Sequence, residues 1–100
     1  MTSQELWQAA RTGRNDVVKA LLKKNVDVDS KDVTGWTALH WAAQYGHDDV
    51  VQTLLENQAK VNAKINIGYT PLHCAAGNGH NAVVLTLLKH NAAIEEDNEE

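Results

Sequence analysis

The chain repeats itself every 33 residues. Shifted by that amount, Leu6, Leu39 and Leu72 coincide, as do Ala9, Ala42 and Ala75, then Ala10, Ala43 and Ala76. Gly13, Gly46 and Gly79 follow, then the pairs Val17-Val18, Val50-Val51 and Val83-Val84, and the pairs Leu21-Leu22, Leu54-Leu55 and Leu87-Leu88. Eight columns are identical in all three copies, and a ninth (Val28, Val61, Ile94) is conservative. The second and third copies also share Gly35/Gly68, Thr37/Thr70, His40/His73 and His47/His80. A unit this short cannot bury an apolar face on its own. Its copies must stack, and the 100 residues hold three periods and one residue more.

Each unit reads as two helices around a tight turn. Thr70 before Pro71 is an N-cap followed by the first helical position, where the missing proline N–H costs nothing. Thr37 keeps that cap in the second copy, and Thr2 with Glu5 three residues on has capping-box spacing in the first. Leu39, Ala42 and Ala43 then form one apolar helical face, small enough for a neighbouring helix to approach closely. Gly46 stops that helix. A second helix is predicted from about Asp48 to Asn57 with Val50, Val51, Leu54 and Leu55 buried. Asp48 and Asp49 suit its start, while Lys23, Lys24 and Lys89 suit the corresponding helix ends in the other copies. The stretch from Val61 to Tyr69 is extended and turn-rich, with Gly68 at the turn.

Composition excludes several functions. Residues 1–94 carry nine basic and eight acidic side chains; five of the last six residues are acidic. A nearly neutral body lacks the dense basic surface of a nucleic-acid binder. Cys74 is the only cysteine, so neither an internal disulfide nor a thiolate zinc cluster can form, in keeping with a reducing, intracellular setting. No run of apolar residues reaches membrane-spanning length, and the N-terminus lacks a signal-peptide core. With five aromatics and no phenylalanine, the core is aliphatic and alanine-rich.

Gly35-Trp36-Thr37-Ala38-Leu39-His40-Trp41-Ala42-Ala43 and Gly68-Tyr69-Thr70-Pro71-Leu72-His73-Cys74-Ala75-Ala76 closely resemble the Gly-x-Thr-Pro-Leu-His-x-Ala-Ala signature of ankyrin repeats. Gly46-His47 and Gly79-His80 resemble the family's inter-helix turn, and Val61-Asn62-Ala63 the beginning of its hairpin. The resemblance covers essentially the whole chain. Copy 1 departs from it, with Trp7 for the histidine and Glu5 for the proline or alanine, as suits a first repeat facing water. It implies an all-α solenoid of three stacked helix-turn-helix units with short projecting β-hairpin loops, forming one domain over residues 1–100. Repeat 1 takes about residues 2–31, repeat 2 about 32–64 and repeat 3 about 65–97; residues 98–100 begin a truncated fourth hairpin. The acidic terminal run thereby becomes the first arm of that hairpin rather than a dedicated tail.

The resemblance further implies a non-catalytic interaction module that binds a protein or peptide on a concave surface of hairpin tips and first helices. The hairpin-tip positions are Val33, Thr34, Trp36, Asn66, Ile67 and Tyr69, with Lys31 and Lys64 just before them. The helix positions are Arg11, Thr12, Gln44, Tyr45, Gly77 and Asn78. Trp36, Tyr69 and Tyr45 would form an aromatic ladder there, since large aromatics dominate interfaces. Trp7 and Trp41, near the alanine columns, are assigned to the core. Asn62 occupies a position at which some family members are hydroxylated. The alternative function is a structural repeat unit, excised or engineered, with no partner of its own.

Other chemistry fails on context. Five histidines suggest a metal, but the repeat itself generates their spacing. His73 and Cys74 are sequence neighbours, which point about 100° apart on a helix, and no orienting acid is visible. Gly77-Asn78-Gly79-His80-Asn81-Ala82 spells a dinucleotide fingerprint, yet it follows a helix where that motif needs a strand. No catalytic set, cofactor or metal site is assigned. The basic cluster Arg11, Arg14, Lys19, Lys23 and Lys24 reads as the solvated outer face of a terminal repeat. The third repeat lacks such relief: Ala82, Val83, Val84, Leu85, Leu87 and Leu88 leave it apolar. It is expected to continue into a longer array or to self-associate.

Overall fold

The computed structural model describes residues 2–65 and 68–90. Six helices run through them: α1 (Ser3–Thr12), α2 (Asn15–Lys23), α3 (Ala38–Gln44), α4 (Asp48–Glu56), α5 (Pro71–Gly77) and α6 (Asn81–Lys89). They pair as α1/α2, α3/α4 and α5/α6. The pairs stack in order, with α1, α3 and α5 in one layer and α2, α4 and α6 in the other.

The first helix of each unit starts at an extended threonine whose hydroxyl accepts the amide three residues on. In unit 1 the Glu5 carboxylate closes the capping box, accepting from Thr2 N at 2.8 Å. In units 2 and 3 an imidazole replaces the carboxylate. Thr37 N donates to His40 Nδ1 at 3.2 Å, and Thr70 N to His73 Nδ1 at 3.0 Å. With Nδ1 accepting, Nε2 is the protonated nitrogen. His40 uses it to donate to the Tyr69 carbonyl of the next unit at 3.2 Å. His47 and His80 make similar bridges from the inter-helix turns, donating to the carbonyls of Arg11 at 3.0 Å and Gln44 at 3.1 Å. The outer helices end in Schellman-type bonds, Val26 N to Leu21 O and Ala59 N to Leu54 O.

The turn-rich segments are smaller than the expected β-hairpins. Asp32 N donates to Trp36 O and Gly35 N back to Asp32 O, both at 2.9 Å; Ile65, Tyr69 and Gly68 repeat the pattern. One rung closes each turn, and no strand occurs among the described residues.

Alanine and aliphatic side chains fill the core, including Leu6, Leu39, Leu54, Leu87, Val18 and Val50. Comparing columns shows what each end lacks. Leu39, Ala43 and Val51 are buried, whereas Leu72 and Val84 are half-buried and Ala76 is exposed. Leu55 is 8% exposed and Leu88 39%. Among the described residues, then, the far side of unit 3 is uncovered. Leu85 does not belong to that side, contrary to the sequence expectation. At 60% exposure it stands in the column of Lys19 and Gln52, which are exposed even where a neighbour stacks. At the other end Glu5 is exposed where Ala38 and Pro71 are buried. A groove of about 450 Å³ lined by Thr2, Glu5, Gln8, Thr12, Arg14 and Val17 makes that face polar. The acidic run and the start of a fourth hairpin lie outside the described residues.

Candidate partner-binding face

The turns and the exposed sides of α1, α3 and α5 carry the residues expected to meet a partner. Unit 2 holds the largest share of them. Asp32, in the turn before α3, organises that unit. Its Oδ1 accepts from Thr34 N at 2.9 Å, Trp36 N at 3.0 Å and the Thr34 hydroxyl. Its Oδ2 accepts from Trp41 Nε1 at 3.0 Å. Burial pushes this carboxyl up, but the bonds from Thr34, Trp36 and Trp41 outweigh it and hold it below its ordinary value of 3.8.

Three rings follow from that arrangement. Trp36 and Trp41 pack with centroids 4.5 Å apart, tilted by 40°. Trp41 and Tyr45, one helical turn apart, lie nearly parallel at 4° and 6.3 Å. Trp41 therefore belongs to the aromatic row. Both Trp7 and Trp41 pack against the core, as expected, and are half-buried at its edge, where each indole N–H donates to a loop acceptor. For Trp7 the acceptor is the Ser30 carbonyl at 3.1 Å. The missed signal was Asp32 standing nine residues before Trp41.

Tyr45 is 50% exposed and Tyr69 46%. Tyr69 stacks on His73 at 5.1 Å and so continues the face into unit 3. Beside it, Gln44, Tyr69, His73, Cys74 and Asn78 line a shallow groove of about 540 Å³. Asn78 bridges the units, donating to Gln44 Oε1 at 3.1 Å and Cys74 O at 2.8 Å.

The remaining positions are less concentrated. Val33 is fully exposed at its turn, and Thr34 is exposed but tied to Asp32. Lys31 and Lys64 are exposed. Arg11 and Thr12 are exposed on unit 1 and bonded to Gln8, and Thr12 lines the groove on the outer end of that unit. Asn66 and Ile67 lie outside the described residues. Asn62 is exposed.

Cys74 and His73 are not arranged as a nucleophile and its base. Burial pushes the Cys74 thiol up to about 11, and His73 Nδ1 is occupied by Thr70. Among the described residues no group of three or more His, Cys, Asp or Glu side chains could hold a metal ion. None of the described helices is long and apolar enough to cross a membrane. Gly77 ends α5, so the fingerprint-like string begins on a helix.

No curated protein matches the chain. The family model for ankyrin repeats in three copies matches residues 6–99, nearly all of the three units described above. The chain belongs to the ankyrin-repeat family.

Proposed function

We propose that this chain is a non-catalytic interaction module whose partner, a protein or peptide, lies across the turns and inner helices of units 2 and 3. Ankyrin repeats are generally protein–protein interaction modules. The observation that carries the surface assignment is the row Trp36, Trp41 and Tyr45, adjoined by Tyr69 and the groove beside Gln44 and Asn78. Ring faces held in place before binding lose little freedom when a partner docks. The alternative of a purely structural unit gives no reason for Tyr45 and Tyr69 to leave about half of their surface exposed. Replacing both with alanine tests the reading. Retention of peptides selected on the native chain should fall at least about tenfold while the urea midpoint stays nearly constant. Loss of stability with unchanged binding would oppose it.

A second reading concerns self-association. Leu72, Ala76, Val84 and Leu88 form an apolar end on unit 3. Glu5 obstructs the end of unit 1, since stacking there would bury a carboxylate. We infer that copies pair end to end through unit 3 rather than polymerise. Sedimentation equilibrium checks this: Leu88→Lys should shift a concentration-dependent dimer to monomer, and a native chain monomeric at millimolar concentration would refute it. With its one cysteine free and buried, the module is assigned to a reducing, intracellular setting.

A further inference from the structure

We propose that Asp32 is a positioning residue for partner recognition: its carboxylate sets the orientation of Trp41 and so builds the aromatic row of unit 2. The inference rests on the interaction reading above and names the residue on which that surface depends.

The internal repeat separates this role from turn closure. In unit 3 the column of Asp32 holds Ile65, and the column of Trp41 holds Cys74. The unit 3 turn nevertheless closes by the same backbone bonds, Ile65 N to Tyr69 O at 2.9 Å and Gly68 N to Ile65 O at 2.8 Å. A carboxylate is therefore unnecessary for the turn. What Asp32 adds is an acceptor reaching the next helix, where Oδ2 takes the Trp41 N–H at 3.0 Å. The aspartate and the tryptophan are present together in unit 2 and absent together in unit 3.

The consequence is chemical as well as geometric. An indole whose N–H is satisfied internally offers a partner only its ring face and edge carbons. Trp36 packs against Trp41 with centroids 4.5 Å apart, and Tyr45 runs nearly parallel to Trp41 at 6.3 Å. The row then favours an apolar, proline or planar side chain over a lone hydrogen-bond acceptor.

The test uses the full 100-residue chain and a display library of random 12-residue peptides. Retained peptides are synthesised and measured against Asp32→Ala, Thr34→Ala and Trp41→Phe. Thr34→Ala weakens the turn without touching Trp41. Asp32→Ala should lose about tenfold in affinity and abolish the circular-dichroism couplet of the Trp36–Trp41 pair, with helical content unchanged. Thr34→Ala should lose less than about threefold and keep the couplet. In the Trp41→Phe background, adding Asp32→Ala should cost no more than Thr34→Ala does. A couplet that survives Asp32→Ala, or equal losses for Asp32→Ala and Thr34→Ala, overturns the proposal. Loss of the couplet with undiminished peptide affinity overturns the recognition role alone. If the native chain retains no peptide, the interaction reading itself fails, and the spectra still report whether Asp32 orients Trp41.

Discussion

His80 of the third unit lies over Gly46 of the second. Its ring fills the space a β-carbon on residue 46 would need, which would fall 2.6 Å from Nδ1, while Nε2 donates to the Gln44 carbonyl at 3.1 Å. Gly46 thus serves twice, as a residue at φ +76° and as the floor of an inter-unit contact. Gly79 has nearly the same φ, +73°, but among the described residues nothing lies within 4 Å of the corresponding point. Gly79→Ala should therefore cost the left-handed strain alone, about 1–2 kcal/mol. Gly46→Ala adds displacement of His80 and should cost roughly 2–4 kcal/mol. Urea unfolding of the two variants measures the difference, and equal losses would show that the histidine contact contributes nothing.

His40 makes stability depend on pH. Burial holds its pKa below the ordinary 6.5, outweighing the carbonyls of Tyr69 and Ala63 that favour the charged ring. The folded state binds the proton less well than the unfolded chain does. Its contribution is complete above about pH 6.5 and is lost as pH falls below that towards the folded value. Structure gives the reason: a protonated Nδ1 can no longer accept from Thr37 N. The urea midpoint should drop between pH 7.5 and 5.5 in the native chain and change less in His40→Asn. An equal drop in both would assign the acid sensitivity elsewhere.

The 33-residue period made the helices legible because it reports the columns that stacking requires. Leu39, Val50 and Leu54 are buried for that reason, and the predicted helix from about Asp48 to Asn57 ends within one residue of α4. Asp32 and Trp41 stayed hidden because they occupy columns where the copies differ, and their bond spans a turn and a helix. Periodicity places backbones and leaves the direction of an indole open. Capping by His40 does not follow from spacing alone, since a capping box is ordinarily read from Glu or Gln. The exposure of Leu85 became readable only when Gln52 showed its column to be solvated beside a neighbour.

Gln58 ends α4 at φ +72°, in the region that side chains with a β-carbon occupy at a cost. Its counterpart Asn25, at +67°, has a side chain that tolerates the conformation better. Gln58→Gly should raise stability by roughly 0.5–1 kcal/mol, because the Schellman bond from Ala59 N to Leu54 O remains. Thermal and urea denaturation would register the gain. A loss would mean that added freedom in the unfolded chain outweighs relief of strain.

Leu55 and Leu88 share a column and differ in cover. Leu55→Ala should cost about 2–4 kcal/mol, as befits a buried leucine, and Leu88→Ala about 1 kcal/mol. The comparison is run at micromolar concentration, so that any end-to-end pairing through unit 3 adds little. A cost at Leu88 matching that at Leu55 would show that residue 88 is covered in solution.

Cys74 should behave as a packing residue. It is 2% exposed, and burial pushes its thiol up to about 11, so at pH 8 only about one molecule in a thousand carries the thiolate. Neighbouring His73 cannot serve as its base while Nδ1 accepts from Thr70 N at 3.0 Å. Reaction with an aromatic disulfide reagent therefore has to wait for unit 3 to open. The native chain should label slowly, and the rate should climb with urea well before the global midpoint if the third unit frays first. Cys74→Ser would place a hydroxyl in an apolar site and should cost about 1–3 kcal/mol. Labelling of the native chain as fast as a free thiol would instead require an accessible, activated sulfur and would reopen the question of nucleophilic chemistry at this position.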